Sequence, residues 1–384
     1  MKRVCIITGS RAEYGILRVL MEKICEDDEL DLSIIATGMH LSPIHGYTVK
    51  HIKDDGFNVD FEIDMLLCGD TLSSLVKSLG LGIIGISQAL ENIQPDLTII
   101  FGDRVEALAG AISSSYMRIL TAHIHGGDHA AGYHIDDYNR MAITKFSHIH
   151  FVAIEEHARK LISLGENPER IYVVGSLSLD EVIERKNKFN ERVRERITKK
   201  YDIKEDEPLI LVIQHPVSSE LNQADFQMKT TMDAIKELEL QTIVIYPNID
   251  PGGQKMINVI KKYEKYPFIK AYPNIPREDF IDLMIISSVM VGNSSCGIIE
   301  APSLGLPFVN IGTRQKNRVK AENVIDVNYD KESIKSAILT ALYDDEFRRK
   351  VRKCRNPYGD GKTSDRIIDI IKKIEPDERF FIKF

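Results

Sequence analysis

The residues best suited to proton transfer or anion binding lie in short segments that follow runs of apolar residues. The first segment, residues 9–15, places a glycine, a serine and Arg11 directly before a predicted helix. Backbone N–H groups at a helix N-terminus, together with a guanidinium group, suit an anion. The segment lacks the GxGxxG spacing of a dinucleotide site, so we expect no such cofactor. A solvent-exposed arginine on a connecting loop is the alternative interpretation.

Asp103 stands where a second apolar run, Leu97–Phe101, has ended and a predicted helix begins. An aspartate at that point can cap the helix N-terminus and stabilise it by about 1 kcal/mol, which is the simpler interpretation. An acid at the end of a strand, facing a cleft, can also act as a general base. The spacing alone leaves both roles open.

The third segment is the richest in titratable side chains, because six of the eleven histidines lie between His123 and His150. On a strand, His123 and His125 point to the same side, and Asp128 follows two glycines. Asp136 opens the next predicted helix. These residue types can bind a metal ion, but ligands from a strand end and a loop show no familiar metal spacing. We therefore expect no metal, and interpret the cluster as proton-transfer groups around a reacting sugar.

The second half of the chain repeats this arrangement. His215 follows the apolar run at residues 209–213. A lone histidine is usually structural, but the carboxyl end of a predicted strand is where open α/β sheets place their sites. Asn248 lies in the next loop of this kind, and Phe280 lies in the first turns of a predicted helix that begins near Pro276.

The strongest single element is the segment at residues 292–301, where a predicted strand runs into small hydroxyl residues and glycines that open a helix. The backbone N–H groups and the helix dipole there favour a phosphate group. Glu300 lies about one turn inside that helix and could accept hydrogen bonds from two adjacent ribose hydroxyls. A capped helix with a solvent-facing glutamate is the alternative. Arg314, after the next predicted strand, adds a cation for the phosphates.

Short apolar runs that alternate with helical patterns supply the elements that position these segments. The runs are continuous rather than alternating, which is typical of buried parallel strands. Strands that alternate with helices indicate right-handed crossovers and a parallel sheet. The predicted strands lie at residues 4–7, 32–36, 97–101, 119–124, 171–174, 209–213, 242–246, 289–291 and 308–310.

A pause in this pattern after residue 175 marks the predicted domain boundary. A highly charged segment, residues 180–200, follows as one predicted helix. We therefore predict an α/β protein with two Rossmann-like, doubly wound domains at residues 1–176 and 177–384, facing a cleft that holds the site. In folds of this kind the last helix, predicted at residues 364–374, often crosses back to the first domain.

The composition is that of an ordinary globular protein, since 43% of the 384 residues are hydrophobic and 28% are charged. A net charge of -7 argues against non-specific nucleic-acid binding. The five cysteines are scattered and show no CxxC spacing, which is typical of reduced thiols in a cytosolic protein. The apolar run Val4–Ile7 is too short for a signal peptide, and no other run reaches membrane-spanning length. We therefore expect a cytoplasmic enzyme with no nucleic-acid or membrane partner.

Seven motifs in the chain carry a resemblance to a known family. They are SRAEYGIL (10–17), FGDRVEAL (101–108), HIHGGD (123–128), IDDYNRMAITK (135–145), QHP (214–216), YPNID (246–250) and GNSSCGIIEAPSLGLPFVNIGTRQ (292–315). In this order they resemble the UDP-N-acetylglucosamine 2-epimerase family, particularly its hydrolysing members of sialic-acid pathways. The resemblance implies the GT-B type of two-domain fold, which many glycosyltransferases share, and a homodimer or homotetramer.

The resemblance also implies a nucleotide-sugar substrate, with the sugar bound by the first domain and the nucleotide by the second, and assigns residues to its parts. The residues expected at the diphosphate are Arg11, Ser294, Ser295 and Gly297. Glu300 is expected at the ribose, and residues 275–280 beside the nucleobase. The side chains expected to face the sugar are Asp103, Asp136 and His215, with His215 and Arg314 near the departing diphosphate.

The reaction that the resemblance implies has two stages and needs no cofactor. A carboxylate removes the C2 proton of UDP-N-acetylglucosamine as UDP leaves C1, which gives a 2-acetamidoglucal. Water then adds with inverted configuration at C2 and releases N-acetylmannosamine. Because the C2 hydrogen is barely acidic, groups that bind the departing diphosphate as its charge develops are catalytic. We expect the base to be a carboxylate with a raised pKa.

The chain departs from the family pattern at His125, where many relatives have a glutamate. Asp128 could supply the missing acid from three residues further along. Because this change alters the predicted sugar pocket, a GDP- or UDP-linked 2,4-diacetamido sugar of legionaminic-acid synthesis is the alternative substrate. A non-hydrolysing 2-epimerase, a glycosyltransferase of the same fold and a non-catalytic nucleotide-sugar binding protein are the further alternatives.

Overall fold

A computed structural model describes residues 1–67, 71–128, 135–248, 251–375 and 378–382. The chain divides into two compact units. The first contains Met1–Asp128, Ile135–Asp180 and Gly361–Phe384, and the second contains Glu181–Asp360. The boundary between the units therefore follows Asp180 rather than residue 176, and the C-terminal residues belong with the first unit rather than the second.

A parallel sheet forms the centre of the first unit. Its strands are β1 (Lys2–Thr8), β2 (Leu30–Thr37), β3 (Phe61–Ile63), β4 (Leu97–Phe101), β5 (Leu120–Ile124), β6 (Ile149–Val152) and β7 (Ile171–Val173). The seven strands lie in the order β3-β2-β1-β4-β5-β6-β7, and each pair of neighbours is parallel. The chain reverses its direction of travel across the sheet between β1 and β4, which is the topological switch point of a doubly wound fold.

Helices follow the strands of this sheet. They are α1 (Arg11–Cys25), α2 (Val49–Asp54), α3 (Leu72–Ile93), α4 (Val105–Tyr116), α5 (Ile135–Phe146) and α6 (Glu155–Ser163). Helix α1 begins where the side chain of Ser10 accepts a hydrogen bond from the backbone N–H of Glu13. Helix α3 begins with a capping box formed by Thr71 and Ser74. These polar residues fix the starts of the helices at the carboxyl ends of the strands.

Helix α3 corrects the expectation that no segment reaches membrane-spanning length. By length and composition, its residues Ser73–Ile93 could cross a membrane. However, Ile86, Ala89 and Leu90 are buried in the core of the first unit, and a core helix passes the same test. The opposite side of the helix leaves Ile84 58% exposed. Helix α3 is thus an apolar helix that packs with one side on its own unit and exposes the other.

The second unit is built on the same strand order. Its strands are β8 (Ile210–Ile213), β9 (Thr242–Ile245), β10 (Ile269–Tyr272), β11 (Val289–Gly292), β12 (Phe308–Ile311) and β13 (Val324–Val327). They form a six-stranded parallel sheet in the order β10-β9-β8-β11-β12-β13. Its switch point lies between β8 and β11. The prediction of an α/β protein with two Rossmann-like, doubly wound units is therefore confirmed.

The helices from the unit boundary onward show one error of the sequence prediction. They are α7 (Ser178–Lys188), α8 (Glu191–Tyr201), α9 (Ala224–Leu238), α10 (Gly253–Tyr263), α11 (Arg277–Ile286), α12 (Cys296–Ile299), α13 (Ala301–Leu304), α14 (Lys331–Tyr343) and α15 (Asp345–Lys353). The prediction of one helix over residues 180–200 is wrong. The chain leaves the helical conformation at Asn190, whose side chain accepts a hydrogen bond from the N–H of Val193 and caps α8.

The C-terminal residues return to the first unit as α16 (Thr363–Lys373) and the short α17 (Glu378–Phe381). The carboxylate of Asp180 accepts hydrogen bonds from the N–H groups of Thr363 and Ser364, at 2.9 and 2.6 Å. Ile367 and Ile371 are buried in the core that also contains residues of α1. Asp180 therefore holds the start of α16, and apolar packing holds the rest of this helix.

Candidate active site

The loops after β1 and β4 flank the switch point of the first unit, where doubly wound sheets bind ligands. The loop after β1 carries Arg11, which is half-buried. The loop after β4 turns at Gly102, whose φ of 77° lies in the left-handed region that suits glycine. Asp103 follows this turn and is half-buried. The two loops therefore present a cation and an acid at the same edge of one sheet.

Asp103 is paired with an arginine and does not cap the next helix. The N-cap residue of α4 is Arg104, and no side chain caps this helix. The Asp103 carboxylate instead accepts a hydrogen bond from Nη2 of Arg140 in an ion pair, with 25% of the Asp103 side chain and 14% of the Arg140 side chain exposed. The capping interpretation of Asp103 is therefore wrong, and its carboxylate is held in a fixed place at the sheet edge.

Arg140 connects two of the loops and was missed by the sequence analysis. Its Nη1 also donates to the backbone carbonyl of His125, at 2.7 Å. Burial by itself lowers the pKa of Arg140, but neighbouring carboxylates, first that of Asp103, outweigh it and raise the pKa. The guanidinium therefore stays charged. The sequence does contain one indication of this role, because Arg140 lies four residues after Asp136 on a predicted helix, which puts the two side chains on the same helix face.

Two histidines of the dense third segment have different surroundings. His125 has a positive φ of 68°, and its ring lies 5.0 Å from that of Phe101, centroid to centroid. His123 is fully buried, and its Nε2 lies 2.8 Å from the carbonyl oxygen of Gly102. Burial lowers the pKa of His123 to about 3, so it is neutral and donates from Nε2. His123 therefore supports the turn before Asp103, whereas His125 lies at the strand end itself.

The two other predicted catalytic acids lie in the same region of the fold. Asp128 is 8% exposed, and its Oδ1 is 3.7 Å from Nε2 of His157. Asp136 is half-buried in the first turn of α5. Among the described residues, no group of three histidine, cysteine or acidic side chains is arranged to hold a metal ion. Asp103, Asp128 and Asp136 all follow strands β4 and β5, so the structure places them at one edge of the sheet.

A cluster of the buried Glu13 and Glu106 with the partly exposed Arg104 was not predicted as part of the site. Arg104 donates to both carboxylate oxygens of Glu106, at 3.3 and 3.4 Å, and its Nε lies 3.8 Å from Oε1 of Glu13. Burial and then the negative charge of Glu106 raise the pKa of Glu13 to about 8. Glu13 is therefore largely protonated at neutral pH.

This cluster joins three loops at the sheet edge. The carboxyl group of Glu13 accepts a hydrogen bond from the N–H of Gly9, at 2.8 Å. A Cβ atom at Gly9 would lie 2.7 Å from the Glu106 side chain, and one at Gly38 would lie 2.4 Å from it. Both glycines are therefore required by close packing against Glu106. The loops after β1, β2 and β4 share this contact, which fixes the surroundings of Arg11 and Asp103.

In the second unit, an asparagine joins the two loops at the switch point. Asn293 follows β11, and its side chain accepts from the N–H of His215 and donates to the carbonyl of His215, at 2.7 and 2.9 Å. Gly292 precedes it with a φ of 131°, and a Cβ there would lie 2.0 Å from the carbonyl oxygen of Ile213. Strands β8 and β11 approach too closely for any other residue, and Asn293 then fixes the backbone of His215.

His215 is neutral and oriented by the next loop. Its Nδ1 accepts a hydrogen bond from the backbone N–H of Asn248, at 3.2 Å, so Nε2 carries the proton. Burial and then the nearby guanidinium of Arg314 lower the pKa of His215 to about 3. At neutral pH His215 can therefore donate a hydrogen bond from Nε2, but it does not carry an extra proton to transfer. Asn248 orients His215 through its backbone N–H, and the side chain of Asn248 is exposed.

The segment predicted to bind phosphate, residues 292–301, differs from the single helix that was expected. It consists of two one-turn helices, α12 and α13, with Glu300 between them. Short helices carry a weak dipole, so an anion there depends on individual donors. Ser294 and Ser295 lie before α12, and Arg314 is bonded through Nη1 to the carbonyl of Asn293, at 3.2 Å. These three residues supply hydroxyl, N–H and guanidinium donors in one unit.

Gly297 is fixed by packing as well as by the loop. A Cβ at this position would lie 2.5 Å from the ring of Phe308 on the neighbouring strand β12. Its N–H donates to the carbonyl of Ser294, at 3.3 Å. The glycine therefore allows the segment to lie close against the sheet, and this packing role was not recognised in the sequence.

Glu300 is paired with an arginine that was not predicted as a site residue. Its two carboxylate oxygens accept hydrogen bonds from Arg277, at 3.0 and 3.1 Å, and Nε of Arg277 donates to Glu181, at 3.0 Å. The guanidinium also lies 5.8 Å from the ring of Phe280. Since Glu300 is 6% exposed, the solvent-facing interpretation is wrong. A carboxylate has further lone pairs, so Glu300 can still accept from a ligand hydroxyl.

Comparison with known proteins identifies the family. A sequence model of the UDP-N-acetylglucosamine 2-epimerase family matches residues 22–372. The chain belongs to this family. The resemblance carried by the seven motifs is therefore confirmed.

Several curated members of the 2-epimerase family are similar over most of the chain. The UDP-N,N'-diacetylbacillosamine 2-epimerase (hydrolyzing) of Legionella pneumophila is 38% identical over 376 residues, which cover 97% of this chain and 96% of that protein. The GDP/UDP-N,N'-diacetylbacillosamine 2-epimerase (hydrolyzing) of Campylobacter jejuni is 36% identical, covering 85% and 84%. The UDP-N-acetylglucosamine 2-epimerase of Neisseria meningitidis is 36% identical, covering 89% and 88%.

Solved structures of 2-epimerases share the fold. The UDP-GlcNAc 2-epimerase of Neisseria meningitidis, bound to UDP-GlcNAc, matches with a TM-score of 0.83 at 18% identity and covers 97% of this chain and 100% of that one. The enzyme of Methanocaldococcus jannaschii, in complex with UDP-GlcNAc and UDP, matches with a TM-score of 0.76 at 20% identity, covering 96% and 99%. At these identities the likeness confirms the two Rossmann-like units of the GT-B-like fold.

Proposed function

We propose that this member of the family is a hydrolysing 2-epimerase whose preferred substrate is a UDP-linked 2,4-diacetamido sugar. The observation that carries the proposal is the similarity, along nearly the whole chain, to the Legionella pneumophila enzyme named for that activity. The residues at the two switch points support it, because the first unit offers acids and the second offers donors for a diphosphate. We assign sugar chemistry to the first unit and nucleotide binding to the second.

In the proposed first stage, a carboxylate of the first unit removes the proton from C2 of the sugar. The electron pair of the C2–H bond forms a double bond between C1 and C2, and the C1–O bond breaks toward the diphosphate. Asp103 is the proposed base, with Arg140 holding its carboxylate in place. Asp128 and Asp136 are the other acids at this edge of the sheet, and His125 is proposed to contact the sugar.

Loss of the diphosphate drives this stage, so the groups that bind it are part of catalysis. The second unit offers the Nε2–H of His215, the guanidinium of Arg314 and the hydroxyl groups of the Ser294-Ser295 segment. His215 is proposed to act as a hydrogen-bond donor, since its lowered pKa leaves it neutral at physiological pH. Arg11 of the first unit is proposed as a further guanidinium for the diphosphate.

In the proposed second stage, water adds across the C1–C2 double bond. The water oxygen bonds to C1, and a proton is delivered to C2 from the face opposite to the one that lost it. This stage needs a base for the water and an acid for C2, and Asp128 and Asp136 supply carboxyl groups beyond the first base. The products are UDP and the free sugar with inverted configuration at C2.

The nucleotide is proposed to bind through its ribose and base to the second unit. Glu300 is the proposed acceptor for the ribose hydroxyls, and Arg277 and Phe280 supply planar groups next to it. Asn248 is proposed to contact substrate from the loop that orients His215. The affinities for UDP and GDP, measured by isothermal titration calorimetry, test this part. Tighter binding of UDP is expected, and tighter binding of GDP would contradict the choice of nucleotide.

The test of the activity is a panel of nucleotide sugars followed by proton NMR. We expect release of free sugar and UDP from UDP-N,N'-diacetylbacillosamine, without an acceptor. The same reaction in ¹⁸O-labelled water shows which bond breaks, because cleavage of the C1–O bond leaves the β-phosphate of UDP unlabelled. Accumulation of an epimerised nucleotide sugar would show a non-hydrolysing enzyme instead. Turnover that requires an added acceptor would show a glycosyltransferase.

Hydrolysis of UDP-N-acetylglucosamine to N-acetylmannosamine and UDP is the second candidate function. It is favoured by the similarity to the Neisseria meningitidis UDP-N-acetylglucosamine 2-epimerase. The same panel separates the two candidates, because the ratio of kcat/KM for UDP-N,N'-diacetylbacillosamine and UDP-N-acetylglucosamine shows which substrate is preferred. A ratio that favours the monoacetamido sugar would replace the first candidate by the second.

We further propose that the protein acts in the cytoplasm as a homodimer or homotetramer. The scattered cysteines support an intracellular location, because they show no disulfide framework in the sequence. Light scattering coupled to size-exclusion chromatography measures the mass of the assembly, for which two or four chains are expected. The mass of one chain would contradict the proposal.

A further inference from the structure

An apolar cavity of about 440 Å³ lies in the first unit, where three helices begin. The N-terminal parts of α3, α4 and α5 surround it. Its apolar lining consists of Leu75, Val76, Leu79, Val105, Leu108 and Ile135. These helices follow strands β3, β4 and β5, so their N-terminal turns lie at the carboxyl edge of the sheet, which also carries the proposed catalytic acids. We call this cavity the apolar pocket.

The apolar pocket exposes side chains that proteins normally cover. Leu75 is 43% exposed, Val76 is 69% exposed and Ile135 is 55% exposed. Apolar side chains that line a concave surface gain free energy when an apolar group replaces water. A concave surface of this kind is therefore suited to the apolar part of a small ligand.

Three polar side chains border the apolar pocket, and one belongs to the proposed catalytic set. They are Arg104, Asp136 and Asn139. Asp136 is a proposed catalytic acid, and Arg104 directly follows Asp103 in the chain. A sugar whose C1–C2 end meets these acids would present its opposite end to the apolar lining. Asn139 and Arg104 offer an amide and a guanidinium to a polar group bound at the rim.

We propose that the apolar pocket binds the second N-acetyl group of a 2,4-diacetamido sugar and so selects that sugar. This inference rests on the proposed function and names the part of the site that sets its specificity. A 2,4-diacetamido sugar carries an acetamido methyl group where N-acetylglucosamine carries a hydroxyl. The methyl group gains from apolar contact, whereas a hydroxyl would lose its hydrogen bonds to water there. The pocket therefore favours the diacetamido sugar in both respects.

The test changes the lining at Leu75, which is exposed enough to substitute without opening the core. Leu75→Asn makes the lining polar, and Leu75→Trp fills the cavity. Both are expected to lower the ratio of kcat/KM for UDP-N,N'-diacetylbacillosamine over UDP-N-acetylglucosamine by about tenfold, which is what one methyl-sized contact contributes to discrimination. Ile84→Asn is the matched control, since Ile84 is 58% exposed on the same helix and does not line the cavity. It is expected to leave the ratio unchanged.

The outcomes separate this inference from the proposed function. If the wild-type protein releases sugar from neither substrate, the proposed function fails, and the inference with it. If it releases sugar but prefers UDP-N-acetylglucosamine, the second candidate function replaces the first, and the inference fails with the first. If it prefers UDP-N,N'-diacetylbacillosamine and both Leu75 variants keep the wild-type ratio, the inference alone is overturned. Light scattering adds a third reading. A lower assembly mass for Leu75→Asn with an unchanged ratio would make the pocket a contact between copies of the chain and would also overturn it.

Discussion

The ion pair between Asp103 and Arg140 allows a prediction for both stability and turnover. Removing one partner of a buried ion pair costs about 3–5 kcal/mol. Asp103→Asn keeps an oxygen that can accept from Arg140, and a quarter of the Asp103 side chain is exposed. We therefore expect a smaller loss, about 1.5–3 kcal/mol in the free energy of unfolding, which is typical of a hydrogen bond to a charged group. Denaturant unfolding followed by circular dichroism measures it.

The second effect expected of Asp103→Asn is a large loss of turnover. If the Asp103 carboxylate removes the C2 proton, Asp103→Asn should lower kcat by about 100- to 10,000-fold, the range for loss of a general base. The affinity for UDP should stay within about twofold of wild type, because the assigned nucleotide contacts lie in the second unit. UDP release under saturating substrate measures kcat, and calorimetry measures UDP binding.

Arg140→Gln and the double variant complete the test. Arg140 acts through Asp103, so Arg140→Gln should lower kcat by about tenfold or more, and the double variant should be no slower than Asp103→Asn alone. Their unfolding free energies should show a coupling of at least about 1 kcal/mol. A wild-type kcat in Asp103→Asn would refute the role of Asp103 as base. A double variant whose loss of turnover is the product of the two single losses would refute the positioning role of Arg140.

Three further predictions follow from other contacts. Glu300→Ala should weaken UDP binding by about 10- to 100-fold with little change in kcat, whereas alanine at the 69% exposed Glu332 should leave the Kd from calorimetry unchanged. The pKa of Glu13 is about 8 in the folded protein and exceeds its value in the unfolded chain, so Glu13 destabilises the protein progressively as pH rises from about 5 to 8. The Tm of Glu13→Gln relative to wild type should therefore rise over that range. A constant difference in Tm would contradict the raised pKa. Gly292→Ala should lower the free energy of unfolding by about 3 kcal/mol, because the added Cβ clashes with the Ile213 carbonyl at a φ that is strained for alanine. Gly80→Ala is the control and should not destabilise the protein, because there is open space around Gly80. Equal losses in the two variants would refute the close approach of β11 to β8.

The sequence was sufficient to predict the repeated strand–helix pattern but not every strand. The strands that it missed are short or interrupted by polar residues. Strand β3 spans only Phe61–Ile63, and β6 contains the buried His150 within an otherwise apolar run. Strands β10 and β13 each include a charged residue and lie at the two edges of the second sheet. Whether such segments form strands depends on pairing with a neighbouring strand, which composition alone does not show.

The candidate site could be predicted where its residues follow strands, because parallel sheets bring the carboxyl ends of their strands together. Asp103 and His215 were found on this basis. The residues that were missed contact the site from helices or through tertiary packing. Arg140 reaches back from α5 to the loop after β4, and Arg277 pairs with Glu300 from a different helix. Such contacts depend on how the elements pack, and side-chain spacing within one helix gives only a partial signal.

The central claim is that a base in this protein exchanges the hydrogen at C2 while the bond from C1 to the diphosphate breaks. The most direct measurement is turnover of UDP-N,N'-diacetylbacillosamine in deuterated water, with the released sugar examined by proton NMR. We expect free sugar with inverted configuration and one deuterium at C2, together with UDP. Free sugar that retains both its original C2 hydrogen and its original configuration would contradict the account, because it would show hydrolysis without proton removal.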